Sequence, residues 1–206
     1  LRPLMLFGMS KYGIEDGIQA ALAAIKVILF KLEGQLIKRH PEYGMNDRLL
    51  LEYLNLDKGT VTIDGVETKL KTNVFPTVDK DNPYKLTDEE NEIVLKLHRS
   101  FVSGQRLNKH IKFLYDKGSM YNVYNRNLIY HGCVPVNDNG IFDMLCINGN
   151  CYHGKALFDI CDEKARAAYT DNPNQDDVDF MWFLWGGEKS PLCGRMIKTF
   201  ERDYVE

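Results

Sequence analysis

The chain has 206 residues, 44% of them hydrophobic, enough to bury a sizeable core as one large domain or two small ones. A formal net charge of -3 and a pI near 6.0 leave no electrostatic footprint for DNA, RNA or an anionic membrane. No apolar run reaches the roughly 18 residues that span a bilayer, and the start lacks the pattern of a secretory signal, so a cytoplasmic setting is expected. Five cysteines, Cys133, Cys146, Cys151, Cys161 and Cys193, are an odd number, which predicts reduced thiols and no disulfide. The chain opens Leu1-Arg2-Pro3-Leu4 without an initiator Met and is expected to be a piece of a longer polypeptide.

Apolar residues at Ile14, Ile18, Ala21, Leu22, Ile25, Ile28, Leu29, Leu32 and Leu36 step by three and four, which predicts one helix over 14–40, stopped by Pro41. The opposite side, Gln19, Lys26, Lys31, Glu33 and Lys38, reads as a solvated face. A short helix follows over 47–54, capped by Asn46 or Asp47. The period then changes: Thr60-Val61-Thr62-Ile63, Asp64-Gly65 and Val66 to Leu70 predict a hairpin with a two-residue turn. Residues 73–84 read as a loop. Thr87 and Glu90 form a capping box for a helix over 88–102, and Leu107, Ile111 and Leu114 continue a helical face to Lys117-Gly118. Residues 120–125 read as a loop. Asp138-Asn139-Gly140 reads as a turn and Met144 to Ile147 as a strand pairing with Leu128 to Tyr130. A helix over 155–169, a linker over 170–177, the aromatic run Phe180 to Trp185, and a last helical run containing Ile197 and Phe200 complete the chain. The class is α+β, or an α/β fragment, with residues 1–125 a helical insertion and 126–206 part of a core.

Leu128 to Tyr130 suit a buried strand that ends at His131, because Gly132 permits a tight turn and Pro135 biases Val134 away from helix. A strand-end histidine serves either as a metal ligand or as a partner of a nearby carbonyl. His131-x-Cys133, Cys146 and Cys151-x-His153 suggest a zinc site, although one intervening residue strains a chelate. Cys133 and His131 could also form a nucleophile and base, with no orienting group evident. The aromatic run reads as core or as a ligand platform. Arg195, after Gly194 and near Ser190, offers a planar fork for phosphate, or is a surface arginine.

Three runs, Tyr12 to Ala20, Leu128 to Pro135 and Trp182 to Leu192, resemble the class III fructose-1,6-bisphosphatases of Firmicutes and Bacteroidetes, in order and across essentially the whole chain. The resemblance implies part of a calcineurin-like metallophosphoesterase, a β-sandwich flanked by helices, with a pair of divalent metals, generally Mn2+. It implies fructose 1,6-bisphosphate as substrate, hydrolysed at its 1-phosphate. His131 then supplies one metal ligand, and the stretch around Leu184-Trp185 and Ser190-Pro191 lies beside the substrate. The superfamily's Asp-x-His, Gly-Asp-x-x-Asp, Gly-Asn-His-Asp and Gly-His-x-His-like motifs are absent, so the chain is expected to be an internal segment, inactive and holding no metal tightly by itself. A second reading makes it an interaction or regulatory module whose long helices form a homo-oligomer or effector surface.

Overall fold

The computed structural model describes residues 14–45, 50–63, 65–71, 75–193 and 205, with residues 14–20 and 50 described by their backbone alone. It is α+β, and the chain divides into two compact units. One comprises the described residues of Leu1–Arg39, Asn46–Asn108 and Lys198–Glu206; the other those of His40–Met45 and Lys109–Ile197.

In the first unit, helix α1 is Ile14–Arg39, the single long helix expected, with Lys38 and Arg39 at its negative C-terminal end. Three antiparallel strands follow, β1 (Leu54–Asn55), β2 (Thr60–Ile63) and β3 (Val66–Lys69). Ile63 pairs directly with Val66, leaving two residues for the turn, and Gly65 has φ +77°, where a side chain is disfavoured. Val61 from β2 packs with Val27 and Phe30 of α1 and with Leu51, Leu70, Phe75 and Tyr84. Gly34 is needed for this closure, since a Cβ there would lie 2.1 Å from the Tyr84 ring. The expected short helix is a 3-10 turn, Leu50–Tyr53; the proposed caps Asn46 and Asp47 lie outside the described residues.

The polar stripe on α1 is not uniformly solvated. Lys31 and Glu33 are buried, and Lys31 Nζ donates to Glu90 Oε2 at 2.8 Å and to the Thr77 carbonyl at 2.5 Å. Glu90 sits in helix α2 (Asp88–Val102) and also closes the capping box: its carboxylate accepts from the Thr87 N–H while its own N–H donates to Thr87 Oγ1. The helical period marked Lys31 as polar, but the charge of Glu90, 59 positions away, is what allows it inside.

The second unit contains the C-terminal part of helix α3 (Gln105–Lys117), the hairpins β4–β5 (Tyr121–Tyr124, Asn127–Tyr130) and β6–β7 (Leu145–Ile147, Asn150–Tyr152), and helices α4 (Gly154–Ala168) and α5 (Gln175–Gly186). Leu145, Leu157, Phe158, Cys161, Phe180, Phe183 and Leu184 are all buried, so one side of the aromatic run is core, while Trp182 is half-buried and Met181 and Trp185 are exposed. Tyr43 lies against Phe180 and Phe183, and His40 stacks on Tyr43 with its ring nitrogens facing Glu42 and Asp179. Arg166 of α4 donates to the carbonyls of Tyr115 and Gly118 at the end of α3, satisfying groups the helix leaves open.

Several expectations are corrected here. Residues 121–124 are a strand, not a loop: Tyr121 and Val123 alternate with Asn122, and Asn125 (φ 50°) and Arg126 (φ 65°) make the left-handed turn that an Asn-Gly pair usually advertises. β5 therefore pairs with β4, and β6 pairs with β7 rather than with 128–130. β5 is also not buried; Leu128, Ile129 and Tyr130 are 52%, 54% and 41% exposed. The linker ends early, because Asn174 caps α5 by accepting from the Asp176 N–H. The last helical run, with Ile197 and Phe200, falls outside the described residues.

The expectation of no disulfide fails. Cys146 and Cys151 are bonded, facing each other across the β6–β7 hairpin with Cα atoms 4.0 Å apart. That spacing matches the close, non-hydrogen-bonded sites of an antiparallel ladder, where opposed side chains meet. An odd count excludes a fully paired framework but says nothing against one local pair; Cys133, Cys161 and Cys193 are not disulfide-bonded.

Candidate functional site

His131 follows β5 directly, as the Gly132 and Pro135 signals predict, and its side chain is exposed. The following residues meet the turn after α5. Cys133 N–H donates to the Pro191 carbonyl at 3.0 Å, and its thiol lies 3.7 Å from the Ser190 carbonyl. At Gly132 any Cβ would stand 2.4 Å from the Pro191 carbonyl oxygen, so glycine permits this approach. Ser190 organises the other side. Its buried hydroxyl donates to the Leu184 carbonyl at 2.6 Å and accepts from Leu192 N–H at 3.2 Å, while its N–H reaches the Gly187 carbonyl. Lys189 ties in a third segment, pairing with Asp143 at 3.0 Å and donating to the Met144 carbonyl. Burial pushes the Asp143 carboxyl up, but the hydrogen bonds from Lys189 and the Met144 N–H and the Lys189 charge outweigh it, holding it below its ordinary range.

Two stretches separated by more than fifty positions, His131 to Pro135 and Gly187 to Cys193, thus form one locality. Within it, the surroundings of Cys133 weigh against the nucleophile reading. Burial, and then Cys193, raise the thiol, favouring the protonated form. The zinc reading also fails, because Cys146 and Cys151 are consumed by their disulfide. Among the described residues no group of three or more His, Cys, Asp or Glu side chains could hold a metal ion. His131 fits as one donor, but the described residues do not complete a manganese site around it. Arg195 lies outside the described residues, as do Tyr12 and Gly13 of the first family-like run, whose residues 14–20 have only their helical backbone described.

Beside this locality is an apolar cavity of about 250 Å³, lined by Leu128, Val134, Val136, Phe142 and Phe158 with Lys155 at its rim. Lys155 pairs with Asp159 at 2.5 Å, and Tyr121 Oη donates to the same carboxylate at 3.2 Å. This cavity was not legible in the sequence, because its walls come from the β4–β5 hairpin, the segment 134–142 and α4, which only the fold brings together.

An α+β chain with a histidine at a strand end, locked by a glycine to a distant serine-proline turn, limits the class to proteins that assemble a site from loops on a scaffold. The particular family comes from comparison. The model of the Firmicute fructose-1,6-bisphosphatase family matches residues 10–206, and the chain belongs to that family. It is 48% identical to the class 3 fructose-1,6-bisphosphatase of Clostridium novyi (strain NT) over 188 residues, which covers 89% of this chain and 28% of that protein. The Clostridium tetani (strain Massachusetts / E88) counterpart is 44% identical, covering 100% of this chain and 35% of its own length. That of Alkaliphilus metalliredigens (strain QYMF) is 47% identical, with 88% and 28% covered. The chain spans about a third or less of these relatives. No solved structure matches it. Among the described residues no helix is long and apolar enough to cross a membrane.

Proposed function

We propose that this chain is part of a phosphatase that hydrolyses fructose 1,6-bisphosphate to fructose 6-phosphate and phosphate, the metal-dependent step of gluconeogenesis, in the cytoplasm. The observation that carries the reading is family membership over residues 10–206, supported by relatives whose name states that activity. In this reading His131 is one ligand of a manganese pair, and its other donors lie outside the described residues. Arg195 contacts a substrate phosphate. The hairpin β4–β5 adds to a metallophosphoesterase sandwich completed by the rest of the whole protein. Its exposed apolar residues support this, since a two-stranded ribbon left uncovered is at best marginally stable in water. The chain alone is inactive.

The test is a segment exchange. This chain replaces the matching stretch of the Clostridium novyi relative, and release of phosphate from fructose 1,6-bisphosphate is measured with manganese present. Retained turnover within about tenfold, roughly 1.4 kcal/mol of barrier, supports the proposal. A folded but inactive exchange protein contradicts it.

One observation favours the second reading, an interaction module: Phe101 and Val102 at the end of α2 are 63% and 59% exposed, and Phe113 and Leu114 in α3 are 64% and 59% exposed. Sedimentation velocity on the chain alone distinguishes the two. Saturable self-association supports a homo-oligomeric surface, and a monomer at all concentrations removes it.

A further inference from the structure

The β6–β7 hairpin carries chemistry that the phosphatase reading does not use. Cys146 and Cys151 are opposite one another and bonded, and both side chains face solvent. On the other face Leu145 and Ile147 are buried, 1% and 7% exposed, and β6 lies against the turn Pro41–Tyr43. Asn148 (φ 50°) and Gly149 (φ 80°) close the hairpin with a left-handed two-residue turn. Packing and turn therefore hold the register with or without the sulfur bond. The bond spans only five positions, so it restricts the unfolded chain less than one closing a long loop.

We propose that Cys146–Cys151 is a reversible thiol–disulfide exchange site for a small monothiol of the glutathione class. In the reducing direction the small thiolate attacks one exposed sulfur, forming a mixed disulfide and expelling the other cysteine as a thiolate. A second small thiol attacks the mixed disulfide and expels the remaining cysteine. Two small thiols are thereby oxidised to one small disulfide and the protein bond is reduced to two thiols, their protons coming from the incoming thiols. The reverse needs only the small disulfide as oxidant. It is favoured by the hairpin, which keeps the freed sulfurs opposite each other. The other cysteines are poor sites: Cys161 is buried, and Cys133 and Cys193 are partly covered. Reduction loosens the ribbon leading to His153, the residue preceding α4, while the buried Leu145 and Ile147 keep it docked.

The test equilibrates the folded protein, without denaturant, in graded ratios of glutathione to glutathione disulfide. Acid quenching precedes alkylation in denaturant and counting by mass. The expected result is a reversible shift between three alkylated cysteines and all five, through a species carrying one glutathione on Cys146 or Cys151. The C146S/C151S double variant is expected to give three at every ratio, with its helical circular dichroism unchanged. Five at every ratio, or three until denaturant is added, would overturn the proposal. So would loss of the helical signal in the double variant, which would make the bond a structural staple.

Discussion

The β2–β3 and β4–β5 hairpins are built alike, two four-residue strands joined across two residues, and they differ almost entirely in what covers them. β2 turns Val61 into the core behind α1, where it is 3% exposed. β4–β5 meets α4 through the edges of Tyr121 and Tyr130 on Phe158 and the Tyr121 hydrogen bond to Asp159, and leaves Val123 and Leu128 at 61% and 52% exposure. Local sequence makes a hairpin in both places. Stability comes from the covering element, and among the described residues the hairpin that leads into His131 is the less covered of the two.

The largest expected effect lies behind the covered hairpin. Lys31→Ala leaves the Glu90 carboxylate buried and unpaired and is expected to destabilise by about 3–5 kcal/mol in urea unfolding, whereas Lys31→Met costs less, because its apolar stem still packs. A loss under about 1 kcal/mol for the alanine variant would break the account of that core. Next comes the link beneath His131. Gly132→Ala must push back the Pro191 carbonyl and is expected to cost about 1–3 kcal/mol, with altered shifts for the Cys133 and Leu192 amides by NMR. Unchanged stability and amides would separate the two stretches. The smallest effect sharpens the contrast itself. Val61→Ala is expected to cost about 2–3 kcal/mol, and Leu128→Ala, on the uncovered hairpin, within about 0.5 kcal/mol in this chain. Equal losses would show that the second hairpin is already covered.

What was legible in the sequence was local. The period of α1, the Asp-Gly turn and the Thr87–Glu90 box each rest on neighbours in the chain, and each matches the structure. What was not legible needed partners from afar. Lys31 looked solvated until Glu90 arrived, and Asn125-Arg126 hid a turn because neither residue is glycine. Cysteine parity could not reveal a pair that register places face to face. In the candidate site the strand end and His131 were readable from Gly132 and Pro135. The contact of Gly132 and Cys133 with Pro191 was not, although the same two runs carried the family resemblance.

We propose His131 as one metal ligand of a fructose-1,6-bisphosphatase. That role is tested most directly by His131→Ala in the segment-exchange enzyme, assayed for phosphate release from fructose 1,6-bisphosphate across a manganese titration. Because His131 is exposed, folding should be retained. Most activity should be lost at ordinary manganese and partly regained at high manganese. Near wild-type turnover across the titration would contradict the claim and leave His131 a surface residue at the end of a strand.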